Sequence, residues 1–188
     1  MRALLVVLCF AGMASAHAGI DESGISFAGP GCPADGQGIR VTHSSTEEGR
    51  LIIYTPDMSV SLNEGAAFDR EACNIVIPVS VGPNERLVLG NPAVFGKESL
   101  STGETLSAKA SVFLVGQTGP EVLAEITGNG NNSSDYYKRE LAEETLACGQ
   151  GGLVRASSSL LAQKATTYAS GSATLRGLAF DVRIEACN

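Results

Sequence analysis
Tryptophan is absent from this sequence, histidine occurs twice, and aromatic residues make up 5% of the 188 positions. Beyond residue 16 no apolar run approaches the ~20 residues that a membrane-spanning helix needs. No Lys/Arg cluster interrupts a composition of 13 basic and 20 acidic residues with a formal charge of −7. These shortages exclude much. An acidic surface without a basic stripe repels phosphate backbones, which argues against nucleic acid and anionic membranes as partners. Gly-x-Ser-x-Gly, Ser-x-x-Lys and His-Glu-x-x-His are all missing, as is a glycine-rich phosphate loop, so the usual hydrolase and nucleotide-binding signatures have no foothold.

The first sixteen residues read as a secretion signal. Arg2 precedes the apolar run Leu4 to Ala11, and Ala14-Ser15-Ala16 supplies the small-x-small pattern that signal peptidases cut after. Ala16-His17-Ala18 offers a second cut two residues later. The expected organisation is therefore a signal peptide over 1–16 and one all-β domain over 17–188. Removing Arg2 with the leader leaves 12 basic against 20 acidic residues, scattered as on a solvated surface. The expected address is secreted, or periplasmic in a Gram-negative host.

Cys9 leaves with the leader, so Cys32, Cys73, Cys148 and Cys187 remain, an even number suited to two disulfides in an oxidising compartment. Four cysteines allow three pairings. Of these we favour Cys32 with Cys73 and Cys148 with Cys187, while spacing alone leaves the others open. No C-x-x-C spacing supports a metal site.

Period-two alternation dominates the rest. Ile75, Ile77, Val79 and Val81 share one face of a strand, as do Leu106, Ala108, Ala110 and Val112. In the final segment Phe180, Val182 and Ile184 face a core while Asp181, Arg183 and Glu185 face water. Shorter strands are expected at 39–42, 51–55, 86–89 and 152–161. Turn signals separate them, including Thr55-Pro56-Asp57, Asn63-Glu64-Gly65, Gly82-Pro83-Asn84, Gly90-Asn91-Pro92 and Thr118-Gly119-Pro120. Residues 136–146 mix charges with Leu and Ala and read as extended, because they run into Cys148 among strands. The pattern predicts an all-β, disulfide-stabilised antiparallel β-sandwich, Greek-key or jelly-roll-like.

Several blocks together resemble a known family: Gly29-Pro30-Gly31-Cys32-Pro33, Phe68-Asp69-Arg70-Glu71-Ala72-Cys73-Asn74 with its alternating strand, Ser134-Asp135-Tyr136, Ala147-Cys148-Gly149 and the terminal Cys187. Their order is similar to that of domain of unknown function 4360, small exported proteins of bacteria and fungi. The resemblance implies an extracellular β-rich domain with disulfide-bonded cysteines, and implies no known activity, catalytic residue or cofactor.

Candidate chemistry is sparse. If the leader is cut after Ala16, the amine and imidazole of His17 with the imidazole of His43 would form a nitrogen-rich copper site. Cleavage after Ala18 removes it, and His43 sits in a polar Thr-His-Ser-Ser stretch. Asp57, Glu64, Asp69 and Glu71 are the pool for a carboxylate-based hydrolase, although Asp69 and Arg70 read more simply as strand-edge pairing. Sugar binding wants exposed aromatic faces. The phenylalanines fall mostly on core phases, Phe113 excepted, which leaves Tyr136 and Tyr137 as the candidate ligand surface. The nearby Asn129 to Asp135 loop lacks a calcium-binding spacing, and Asn131 and Asn132 begin overlapping glycosylation sequons. The favoured reading is a non-enzymatic structural or binding protein at or outside the cell surface, with the copper protein and the carboxylate hydrolase as alternatives.

Overall fold
A computed structural model describes residues 19–33, 40–43, 50–63, 65–130, 133–164 and 170–187. Within them twelve strands follow in order: β1 (Gly19–Ile20), β2 (Ser26–Ala28), β3 (Arg40–His43), β4 (Arg50–Leu62), β5 (Phe68–Ser80), β6 (Glu85–Ser99), β7 (Thr105–Leu114), β8 (Glu121–Thr127), β9 (Ser134–Arg139), β10 (Glu143–Thr145), β11 (Gly152–Gln163) and β12 (Gly171–Ala186). They form two sheets. Sheet A runs β1-β5-β11-β7-β8 with β2 also on β5, and sheet B runs β10-β6-β12-β4-β3 with β9 also on β6. Every pairing is antiparallel.

Two edges are interrupted strands. β9 holds Ala93 to Glu98 of β6 while β10 holds Val88 to Gly90, and β2 and β1 divide β5 likewise. Apart from the β7–β8 hairpin, the chain from β4 onward crosses between sheets at almost every connection. The core strands then read β4-β12-β6-β9 in one sheet and β5-β11-β7-β8 in the other, which is jelly-roll order.

Alternation explains the core. Cys73, Ile75, Ile77 and Val79 of β5 and Leu106, Ala108, Ala110 and Val112 of β7 are all buried, as their period-two pattern predicts. Sheet A contributes Ala108, Ala110, Ala124, Ala156 and Ala162 between larger residues such as Ile75, Ile77, Leu106 and Leu160. Sheet B meets them with Leu51, Ile53, Met58, Leu175 and Phe180. Small and large side chains together fill the space between two sheets without a tryptophan. Residues 136–146 are extended as expected, in β9 and β10.

Three expectations are corrected. Gly90-Asn91-Pro92 is no turn: β6 passes through it, and the register with β12 slips between Ala179 and Asp181. Asn91 takes φ 47° there, a left-handed conformation that asparagine tolerates. Thr55-Pro56-Asp57 is likewise carried inside β4, standing opposite Arg176 at a second register shift. The Thr55 hydroxyl donates to the Leu175 carbonyl at 3.2 Å and fastens that bulge. Third, Asp181 faces outward by alternation yet is only 6% exposed, because arginine side chains lie over it.

Candidate functional site
The two cysteine bridges are Cys32–Cys73 and Cys148–Cys187. They sit far apart in exposure, Cys73 in the core and Cys148 in the exposed link between β10 and β11. His17 lies outside the described residues. His43 ends β3 opposite Leu51, and its side chain is also outside that description. Of the carboxylate pool, Glu64 and the Asp57 side chain lie outside as well, and Asp69 accepts the Ser61 backbone amide at 2.8 Å as a strand-edge clasp. Asn131 and Asn132 fall outside the described residues. Among the described residues no three His, Cys, Asp or Glu side chains converge as metal ligands, and no helix is long and apolar enough to cross a membrane.

Tyr136 and Tyr137 do not form one surface. Neighbours on a strand point to opposite faces, so Tyr136 packs into the core and Tyr137 is 63% exposed. The Tyr136 ring lies over Gly96, its cross-strand partner, where any Cβ would strike the Tyr136 hydroxyl and the Thr174 carbonyl. Its hydroxyl donates to that carbonyl at 3.2 Å, and burial pushes the phenol well above its usual pKa.

Tyr137 belongs instead to a row of aromatics across the outer face of sheet B. It stands opposite Phe95 of β6, Phe95 opposite Gly177 of β12, Gly177 opposite Tyr54 of β4, and Tyr54 opposite Arg40 of β3. Gly177 makes the row continuous. A Cβ there would sit 2.6 Å from Phe95 Cζ, so the missing side chain lets the Phe95 ring cross β12. Phe95 thereby meets Tyr54 edge to face, with centroids 5.9 Å apart and planes at 79°. The Arg40 guanidinium lies 5.4 Å from the Tyr54 centroid, a cation–π contact. Phe95 and Phe68 both point outward with Phe113, which corrects the expectation that the phenylalanines fall mostly on core phases.

Charged groups border the row on both sides. Beside Tyr137, Asp135 meets Arg176 at 3.5 Å and Lys97 at 4.0 Å. Across the row of Ala93, Ala179 and Ile52 lies a denser network around Asp181. Arg50 Nη1 donates to Asp181 Oδ1 at 2.7 Å, and Asn91 Nδ2 donates to Asp181 Oδ2 at 2.7 Å and to Glu143 Oε1 at 2.8 Å. Arg183 Nη2 donates to Glu143 Oε2 at 2.9 Å, and that bond holds the Arg183 guanidinium above its ordinary pKa. The result is a sheet face with an apolar, π-rich strip between polar margins. Such a strip can stack the faces of a ring while its margins bond to hydroxyl groups.

Sequence reasoning reached Tyr137 and missed Tyr54 and Phe95. Their positions, 54, 95 and 137, come together only through strand register, which has no local signal.

Among solved structures, the chain is similar to TmCBM61 in complex with β-1,4-galactotriose, at 14% identity over 87% of this chain and 89% of that one, with a TM-score of 0.26. It is also similar to the enzymatically active domain of tailspike protein 4 of bacteriophage CBA120, at 16% identity over 87% of this chain and 19% of that one, TM-score 0.23. A third is infectious bursal disease virus, Gx strain, at 15% identity over 81% of this chain and 37% of that one, TM-score 0.28. Likeness at this level carries no argument about function. Among curated proteins nothing matches. The sequence does match one family, described as a domain of unknown function, over residues 19–185, the span that holds the whole sandwich and three of the four bridging cysteines: the chain belongs to the DUF4360 family.

Proposed function
We propose that this is an exported, non-enzymatic binding protein, working at or outside the cell surface, that holds a neutral polysaccharide against the Tyr137–Phe95–Tyr54 row. The observation that carries this reading is the row itself: three aromatic rings from three strands on the outside of sheet B, made continuous by the glycine at 177, with Tyr137 exposed and Phe95 and Tyr54 half-buried. A folded protein normally tucks such rings away or pairs them with a partner. The two disulfides agree with an oxidising destination.

Tyrosine emission reports binding directly, because the chain has no tryptophan to mask it. Titration with soluble neutral glucans, galactans and mannans is expected to quench that emission for at least one of them. Tyr137→Ala and Tyr54→Ala are each expected to weaken binding about tenfold, the effect of removing a ring worth ~1.4 kcal/mol at an interface. Neutral polymers that all fail to bind, or affinity indifferent to both substitutions, would remove the row as a ligand surface. The copper reading of His17 and His43 stands as a separate proposal. Its test is N-terminal sequencing of the exported protein with copper titration, and a mature chain beginning at Gly19 would end it.

A further inference from the structure
The outer face of sheet A is chemically unlike that of sheet B. Ala72, Ser111, Ser157 and Ser159 leave its centre low, and together with Arg70, Asn74 and Lys109 they line a depression of about 280 Å³. Register builds it: Ser157 stands opposite both Asn74 and Ser111, and Ser159 opposite both Ala72 and Lys109. Ser157 Oγ donates to Asn74 Oδ1 at 2.8 Å, which leaves the Asn74 amide group to donate elsewhere.

The middle of that face is basic. In a chain with a formal charge of −7, the outward positions of β5, β11 and β7 carry Arg70, Arg155 and Lys109 and no acid, while the acids Glu121 and Glu125 stand on β8 at its edge. Lys109 is tied to Glu121 of β8 at 2.6 Å. Among the described residues, neither Arg70 nor Arg155 has a side-chain hydrogen bond or ion pair, and Arg155 Nε is buried with no acceptor.

From this we infer that the outer face of sheet A is a second binding site, for a carboxylated polysaccharide built of uronate units. Guanidinium groups pair with planar carboxylates through two parallel hydrogen bonds, and the serine hydroxyls and Asn74 amide match ring hydroxyls. Arg70 lies opposite Leu161, six residues along β11 from Arg155. The two guanidinium groups are therefore rooted about 20 Å apart along the strand direction. A single sugar acid does not span that distance, whereas a polymer with repeated carboxylates does. This inference rests on a different face and different residues from the neutral-polysaccharide reading and stands or falls separately.

The test uses the exported protein with polygalacturonic acid, its fully methyl-esterified form and dextran sulfate. Polygalacturonic acid is expected to bind, more weakly as salt is raised because the attraction is screened. Methyl esterification, which keeps the hydroxyls and removes the charge, should lower affinity tenfold or more. Arg70→Gln and Arg155→Gln should each lower it about tenfold, and Tyr137→Ala should leave it unchanged. Arg70 is exposed, so its substitution keeps the test valid even where Arg155→Gln misfolds. Failure to bind polygalacturonic acid would overturn the inference, as would equal binding of the ester or indifference to both arginines. Equal binding of dextran sulfate would make the face a general polyanion surface and overturn the uronate assignment. Self-association of the free protein that Arg155→Gln abolishes would assign the face to a second copy instead.

Discussion

Asp181→Ala is expected to lower stability by about 3–5 kcal/mol, the usual consequence of removing one member of a buried ion pair. The Arg50 and Asp181 side chains are 5% and 9% exposed and meet at 2.7 Å. Without the carboxylate, the Arg50 guanidinium loses its 2.7 Å ion-pair partner, while the Asn91 carbonyl still accepts from it at 3.2 Å. Asn91 loses a partner at the same time, at a position where its backbone already sits at φ 47°. For a protein of this size the melting temperature should fall on the order of 10 °C. Arg50→Met should be comparably harmful. The double variant Arg50→Met with Asp181→Leu should recover part of the loss, since neither charge is then stranded, but not all of it, since Asn91 and Arg183 still lack the carboxylate. Thermal melts of the three variants test this. A loss below about 1 kcal/mol for Asp181→Ala would mean that the network is solvated like an ordinary surface pair. Below its melting temperature, Asp181→Ala should keep whatever affinity the aromatic row provides, because Ala93, Ala179 and Ile52 separate the row from the network.

That network marks the boundary of what the sequence discloses. Period-two alternation places Asp181 on the outer face correctly, but it reports a side and not a depth. Depth depends on Arg50, Arg139 and Arg183, which reach Asp181 from three strands. Gly90-Asn91-Pro92 and Thr55-Pro56-Asp57 read as turns because bulges and turns draw on the same residues, those that accept unusual backbone angles or lack an amide hydrogen. Whether such a triplet reverses the chain or merely kinks it is decided by β12, which pairs with both β6 and β4 across these points and lies more than 80 positions further on. By contrast the core-facing residues of β7 and of β5 from Cys73 onward are legible, since each strand buries one face against a core and carries no irregularity, while the first five residues of β5, from Phe68, are not. The aromatic row is illegible for another reason. Tyr136-Tyr137 looks like a patch along the chain, while the real patch runs across strands, where only register brings residues together. The basic middle of sheet A has the same property: Arg70, Lys109 and Arg155 are unremarkable until β5, β11 and β7 lie side by side.

The two disulfides should respond differently to reductant although they close loops of nearly equal length, with separations of 41 and 39 residues. In the loop-closure argument each contributes about 4 kcal/mol by restricting the unfolded chain. Their surroundings differ. Cys148 is exposed, and backbone hydrogen bonds from Gly149 to Glu85 and from Cys187 to Asn84, both at 2.8 Å, hold the two ends in place without the bridge. Mild reductant should therefore open Cys148–Cys187 first, in a protein that stays folded with a lower urea midpoint. Cys73 is wholly buried on β5, so Cys32–Cys73 should resist until the sandwich opens. Paired serine substitutions should follow the same order. Cys148→Ser with Cys187→Ser loses the loop contribution alone, while Cys32→Ser with Cys73→Ser adds about 1–3 kcal/mol for a hydroxyl placed among Ile75, Met58 and their neighbours. Alkylation with mass spectrometry along a reductant series, and urea unfolding of both variants, test the order. Simultaneous reduction, or a larger loss for the 148–187 variant, would contradict it. The sum matters for the proposed address. Two bridges at about 4 kcal/mol each approach the 5–15 kcal/mol net stability typical of a folded domain. A chain with that dependence holds its fold in an oxidising compartment and loses most of its margin where thiols are kept reduced.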